Sequence, residues 1–330
     1  MAKKEVFDFY DRTTLKSYNL DRSMQYQLNI LGNLDAFTRQ HSENVAAITC
    51  RLCENLHLPK GFTEYCTVCA YLHDIGKQFI PHDILQKPSR LTDEEFEIMK
   101  THTTIGYKIC MDDLKLRPYA AGPLYHHEAL NGTGYPQGLT AKDIPLEARI
   151  IRVADEYDAM VSKRQYKTHI GIVDTMQYLI NESRPVLSAI QLLVKDTHPL
   201  DDSDPNQKNV KNPKYGKVEP PIVKALIKVV IEDTEYEISC VMDYVKSVKE
   251  EVKRLEQVEK YDKKRLATSN ERKKKYYLEG MKAYLVDKET PENYQDFLTS
   301  YKEIVEKDEF RIKNLFEETK KMKKLKGQAG

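Results

Sequence analysis

His41, His73-Asp74, His102, His126-His127 and Asp155 are imidazoles and carboxylates that fall, one or two at a time, into separate stretches of helical pattern. Helices packed in a bundle can aim such residues at one point, which is how metal sites in bundle cores are built. Histidine and aspartate without cysteine suit borderline or hard divalent ions such as iron, manganese, zinc or nickel. An aspartate directly after a histidine, as in His73-Asp74, can bridge two ions while the histidine holds one. Two ions about 3.5–4 Å apart can clamp a phosphoryl oxygen and share a hydroxide. Adjacent residues on a helix point about 100° apart, so His126 and His127 would each serve a different ion. Taken singly, His41 or His102 is more often a hydrogen-bonded polar residue than a ligand, and Asp155 is a helix carboxylate whose apolar flanks suggest burial. Glu128 reads as a partner that orients a histidine. His57, His82, His169 and His198 read as ordinary polar residues. The inference rests on the set and its order.

Cys50, Cys53, Cys66 and Cys69 form C-x2-C-x12-C-x2-C, close to a zinc-ribbon spacing. A ribbon places each pair on a tight turn, whereas VAAITCRLCENL and TEYCTVCAYLHD both carry helical periodicity. Cysteines three apart on a helix, among Ala and Leu, are expected to pack as small core residues.

The elements that must hold these groups are helical. Residues 1–19 are irregular and polar, and a helical pattern runs from about Leu20 to Leu56. Thr63 to His73 reads as a helix, and PHDILQKPSRL as a loop or short turn. Thr92 with Glu95 is a capping box opening one helix that carries His102 to about Cys110. Tyr119 to Glu128 is a further helix, stopped by Asn131-Gly132-Thr133-Gly134. EARIIRVADEYDAMV after Pro145 is helical, and no stretch alternates like a strand, so the fold class is all-α. Residues 197–221 are rich in Asp, Asn, Pro and Lys and read as a linker between a domain at 20–196 and a second region at 222–330. There, Val241, Val245, Val248, Val252 and Leu255 make a short heptad seam. Thr290-Pro291 reads as a new helix start, giving a helical hairpin or short coiled coil with a basic tail. Its expected use is packing, dimerisation or binding of a partner protein through 222–325.

The 330 residues are 31% charged with a net charge of +1, so global charge gives no argument for DNA or RNA binding. No apolar run approaches the roughly 18–20 residues of a membrane span, and the start lacks a secretory apolar core. The expected location is the cytoplasm, where thiols stay reduced.

The ordered set His41, LHDIGK (72–77), His102, HHE (126–128), NGTGYP (131–136) and VADEYDAM (153–160) resembles the HD-GYP subgroup of the HD metal-dependent phosphohydrolase superfamily, from about Gln40 to Lys167. The resemblance implies an all-helical HD-type domain with a two- or three-metal centre. It implies a phosphodiesterase that hydrolyses cyclic di-GMP, a signalling nucleotide, to a linear dinucleotide and sometimes to GMP, by attack of a metal-bridging hydroxide on phosphorus. Carried over, His41, His73, Asp74, His102, His126, His127 and Asp155 would be the metal ligands, with Asp74 bridging. Lys77 would face the scissile phosphate and neutralise charge in the transition state. Arg164 and Lys167 match positions that hold substrate phosphates. Gly134, Tyr135 and Pro136 form the motif loop, with Tyr135 either near the substrate or structural.

Two departures bear on this. Family members with a third metal carry a glutamate one helical turn before the first histidine, where this chain has Phe37. Two divalent ions are therefore expected, iron or manganese first, with zinc and nickel as alternatives. Asn131 replaces the usual Asp before the loop, and an FDP-like signature is missing after Lys167. Two other readings stand beside cyclic di-GMP hydrolysis: an HD-family hydrolase of another nucleotide or phosphate ester, and a nucleotide-responsive interaction protein acting through its C-terminal helices.

Overall fold

The structure, a computed structural model, describes residues 36–162, 170–186 and 209–328, with side chains from Thr38 onward. Residues 1–35, 163–169 (with Arg164 and Lys167) and 187–208, which include positions 197–208 of the expected linker, and the side chain of Phe37 lie outside the described residues. Among the described residues the regular elements are helices, and the single β-type pairing is an isolated bridge between Asn131 and Thr140.

Two compact units divide the chain. One comprises Met1–Val230 with Met322–Gly330, and the other Ile231–Lys321. In the first, α1 (Ala36–Asn55) packs chiefly on α2 (Lys60–Leu72) and α7 (Leu146–Val161). The four cysteines line α1 and α2, fully buried and outside any disulfide. Burial pushes the Cys66 and Cys69 thiols well up, which keeps them protonated and poor as ligands. They are buried together with Leu52, Val68 and Leu72 of the same helices, as the helical periodicity requires.

After α2 come a 3-10 turn (Ile75–Phe79), the one-turn α3 (His82–Leu85) inside the expected loop, α4 (Asp93–Lys100) and α5 (His102–Asp112). The capping box forms: Thr92 Oγ1 accepts from Glu95 N, and Glu95 accepts from Thr92 N. The helix it opens is shorter than expected, because the chain turns at Thr101. There Thr101 Oγ1, His102 Nδ1 and Thr103 Oγ1 donate to the carbonyls of Ile98, Met99 and Lys100. Side chains thus satisfy the last carbonyls of α4 and compete with helical continuation. The helix expected over 119–128 is also shorter. A 3-10 turn (Arg117–Tyr119) leads into α6 (Ala121–Tyr125), which ends before the histidine pair. α8 (Ile172–Ser183) packs on α7.

The region expected as a linker is a strap over its described part. Lys211 N and Asn212 N donate to Asn131 O, Leu130 N donates to Lys217 O, and Lys217 N donates to Glu182 O. Val210 and Val218 are buried. The helix that follows, α9 (Pro220–Leu266), begins inside the first unit, where Ile222, Val223, Leu226 and Ile227 are buried.

The second unit contains α9 from Ile231, α10 (Glu271–Lys282) and α11 (Tyr294–Lys326) up to Lys321. Its core is Leu255, Val258, Met281, Tyr294 and Leu298, with Val252 packed against it. Val245 and Val248 of the seam are buried too. Arg311–Glu237, Lys249–Glu309 and Lys302–Glu256 ion pairs run in opposite chain directions, so α9 and α11 are antiparallel. Arg254 makes a two-pronged contact to Glu289 at 2.6 Å on each prong. The last helix starts at Tyr294, after a turn in which Asn293 Oδ1 accepts from Thr290 N.

Candidate metal centre

Helix ends build the site. His73 follows α2, His102 stands where α4 gives way to α5, and His126 follows α6. Each donates its Nδ1–H to a carbonyl three or four residues back: His73 to Ala70 at 2.6 Å, His102 to Met99 at 2.7 Å, His126 to Gly122 and Pro123 at 3.0 Å. The free carbonyls of a helix C-terminus thereby fix the tautomer. With the proton on Nδ1, the Nε2 lone pair is the one left to bind a metal.

Those lone pairs converge. His102 Nε2 and His126 Nε2 stand 3.2 Å apart, with no proton between two acceptors. Nitrogens on one ion at about 2.0–2.1 Å are separated by roughly this much. His73 Nε2 and Asp74 Oδ1 are buried without a hydrogen-bond partner, a costly state for polar atoms unless something binds them. Orphaned lone pairs of this kind are what a divalent cation would satisfy, so the residues fit one.

Asp74 lies at the middle. Its Oδ2 faces His73 Nε2 at 3.3 Å and His41 Nε2 at 3.8 Å, and its Oδ1 faces His102 Nε2 at 3.5 Å and His126 Nε2 at 3.9 Å. One carboxylate thus presents one oxygen to each of two nitrogen pairs. Asp155 closes the first side, 3.0 Å from His41 Nε2, and its other oxygen lies 3.9 Å from His127 Nδ1. Three groups have ligand atoms mutually within 4.8 Å: His41, His73 and Asp155; His73, Asp74 and His126; and His102, His126 and His127. The adjacent histidines can therefore close on the same point, because α6 stops at Tyr125 and they sit on a turn, not on a helix surface.

Burial acts against charge on the His41, His102, His126 and His127 imidazoles. It lowers His102 to about 4, and lowers His126 and His127 well below the usual histidine range. His41 is the exception: burial opposes its charge, but hydrogen bonds to Asp155 and Asp158 prevail and raise it to about 9. Burial would also raise Asp74, yet the charges of His73 and Lys77 hold it well below the usual carboxylate range. Asp155 is held low in the same way by His41.

These directions predict the pH profile of metal-free protein. His102 takes up its proton at about 4 when folded and at its ordinary 6.5 when unfolded. Its contribution is whole above 6.5 and is lost as pH falls toward 4, by roughly 3 kcal/mol. The His41 contribution is present below 6.5 and is lost as pH rises through about 9. Urea unfolding in chelator should give a midpoint that declines on both sides of neutrality. A midpoint constant between pH 6.5 and 4.5 would contradict the account.

Several supporting residues carry no signal as ligands. Asp158, one turn after Asp155, accepts from His41 Nδ1 at 2.6 Å and from Asn44 at 3.0 Å. Arg152 donates to the carbonyls of His127 and Glu128 and pairs with Glu156. Spacing could have found Asp158, because i and i+3 share a helix face. The contacts of Arg152 to the histidine turn have no such signal, since they end on backbone oxygens.

The motif loop is anchored by Glu128, which orients no histidine. Its carboxylate accepts from Gln137 N at 2.7 Å and Leu139 N at 2.8 Å. Asn131 Oδ1 accepts from Thr133 N and Oγ1. A Cβ at Gly134 would meet the backbone of Glu128 and Ala129, so glycine lets the loop lie flat on the histidine turn. Tyr135 stacks on His127, with ring centroids 4.6 Å apart and an interplanar angle of 27°. Lys77 Nζ lies 2.5 Å from Asp74 Oδ2.

Residues 25–186 match the protein family described as HD domain. The chain is 46% identical over 143 residues to a cyclic di-GMP phosphodiesterase of Thermotoga maritima, covering 42% of this chain and 39% of that protein. It is 37% identical over 181 residues to a cyclic di-GMP phosphodiesterase response regulator of Xanthomonas campestris pv. campestris, covering 54% and 46%. It is 31% identical over 157 residues to a 3′3′-cGAMP-specific phosphodiesterase of Vibrio cholerae serotype O1, covering 47% and 36%. In each case the match spans less than half the length of the relative.

Proposed function

Residues 25–186 of this chain are an HD domain of the HD-GYP kind, and from that premise we propose that the chain is a metal-dependent phosphodiesterase that opens a cyclic dinucleotide, with cyclic di-GMP as the substrate and a linear dinucleotide as the first product. The observation that carries the reading is the position of Asp74, one oxygen toward His41 and His73 and the other toward His102 and His126.

Two divalent ions, iron or manganese, would be held by His41, His73, Asp74, His102, His126, His127 and Asp155. When bound they polarise phosphate oxygens and supply a hydroxide at neutral pH. The chain's own residues do the rest. Backbone carbonyls hold His73, His102 and His126 in one tautomer. Asp158 holds His41, and the Tyr135 ring covers His127. Lys77, whose ammonium rests on Asp74, is assigned to the equatorial oxygens of the scissile phosphate, where it meets charge that grows in the transition state. Arg164 and Lys167 are assigned to substrate phosphates by resemblance.

Anaerobically prepared protein supplied with Mn(II) or Fe(II) should convert cyclic di-GMP to the linear dinucleotide. Parallel reactions with 3′3′-cGAMP, linear dinucleotides and mononucleotide esters rank the substrates. A 3′3′-cGAMP-specific relative makes that nucleotide the second reading, and faster turnover of it would displace cyclic di-GMP. Lys77→Ala should lower kcat by roughly 10²–10³-fold with metal content unchanged. Full turnover by that variant would remove Lys77 from the mechanism. The helices at 222–325 are proposed as a dimer or partner contact, which sedimentation of the full chain would test.

A further inference from the structure

Beside the metal centre, on a helix the ligand set does not use, lies an aromatic corner with a cation in it. Phe96 lies on α4, a surface helix with no buried residue, and keeps 43% of its surface exposed, a large apolar side chain left facing solvent. Its ring stands nearly perpendicular to Tyr135, with centroids 6.1 Å apart at 81°. Lys100, one turn further on, holds its ammonium over both rings, 4.9 Å from the Phe96 centroid and 5.7 Å from that of Tyr135. Tyr135 stacks in turn on His127 and lies 6.5 Å, centroid to centroid, from His102. The corner is thus one ring away from two of the metal-facing histidines.

Each part has a use that neighbouring metal ions do not explain. An exposed aromatic surface beside a phosphoester site is a platform for a nucleobase, and base–aromatic stacking tolerates any base because every base has a π face. The ammonium of Lys100 is paired with Glu97 Oε1 at 2.6 Å. That partner is solvent-exposed, so the pair is a weak one that a phosphate can replace. Two ring faces meanwhile keep the cation in place.

We infer that Phe96 and Lys100 form an outer subsite that takes one purine base of the substrate by stacking on Phe96 and its adjoining phosphate on Lys100. The phosphate at the metals and the base on Phe96 then belong to the same nucleotide ligand. The identity of the whole ligand rests on the cyclic-dinucleotide reading above, whereas the subsite can be tested without it.

The chain contains no tryptophan, so Phe96→Trp installs a single reporter at the platform. GMP should quench its emission saturably, and ribose 5-phosphate, which has the phosphate but no base, should leave it unchanged. Adding Lys100→Ala should weaken the GMP response roughly fivefold or more. Emission indifferent to millimolar GMP, or equally sensitive to ribose 5-phosphate, would overturn the assignment. In turnover, Phe96→Ala should raise KM for cyclic di-GMP roughly tenfold with kcat within about twofold, and Phe96→Trp should restore KM. Hydrolysis of bis(4-nitrophenyl) phosphate, which has no purine, should be unaffected. Equal losses on both substrates would show that Phe96 merely props Tyr135 against His127, and would also overturn the proposal. If the wild-type protein cleaves only the nitrophenyl ester, the cyclic-dinucleotide reading falls while the GMP titration still decides the subsite.

Discussion

Asp74→Asn is expected to abolish retention of both metal ions and to lower kcat/KM by at least about a thousandfold on cyclic di-GMP and on a simple phosphodiester. The side chain keeps its shape, so packing is undisturbed at a fully buried position. What changes is that an amide presents an oxygen on one side and an NH2 group on the other. An NH2 group cannot ligate, and Asp74 faces a nitrogen pair on each side. The substitution also removes the negative charge that balances Lys77 at 2.5 Å. Loss of an anion that two cations would share would cost several kcal/mol of electrostatic stabilisation, which corresponds to the stated factor. Elemental analysis of anaerobically purified protein, paired with turnover and thermal unfolding, separates loss of metal from loss of fold. A cooperative unfolding transition with a full metal complement and turnover within tenfold of wild type would show that Asp74 is not the shared ligand.

Gly76→Ala should be nearly as damaging for a different reason. A Cβ at position 76 would overlap the carbonyl oxygen of His102 and crowd the amide of Gly106. Those obstacles are backbone atoms at the start of α5, so no side-chain rotation relieves them. Either α5 moves or the 3-10 turn after Asp74 opens, and both carry a ligand. Overpacking of this kind costs about 1–3 kcal/mol, and displacement of His102 by 1 Å or so would weaken metal retention as well. Urea unfolding and metal content of the variant test this together. Stability within about 0.5 kcal/mol of wild type with full metal would refute the close approach.

How much of this could be read beforehand depended on how a residue reveals its role. The candidate ligands were legible because histidine and aspartate in a fixed order across separate helices form a pattern of residue types. The helices were legible where apolar periodicity was long, as in α2 and α7. The shortened α4 and α6 were not, because side-chain bonding to carbonyls ends α4, by Thr101, His102 and Thr103, and accompanies the end of α6, by His126, and threonine and histidine are not usual helix stops. Asp158 and Arg152 were missed because they contact His41 and the backbone of the histidine turn without belonging to the ordered histidine and aspartate set. The strap at 209–219 was missed because its bonds run from main chain to main chain, so its composition still looks like that of a linker.

That strap sets the size of the portable unit. The stretch that matches the HD-domain family ends at residue 186, yet Leu130 N donates to Lys217 O, and Asn131 O accepts from Lys211 and Asn212, all beyond that end. Lys211 Nζ also bonds Gly138 O. A gene fragment cut at 186 would carry every proposed metal ligand and still leave the backbone around the glycine-tyrosine-proline turn half-bonded. A chimera that joins this catalytic segment to a foreign C-terminal region would inherit the same defect. The inheritable module is therefore longer than its signature, and its last part is recorded in main-chain bonds that residue identities barely constrain.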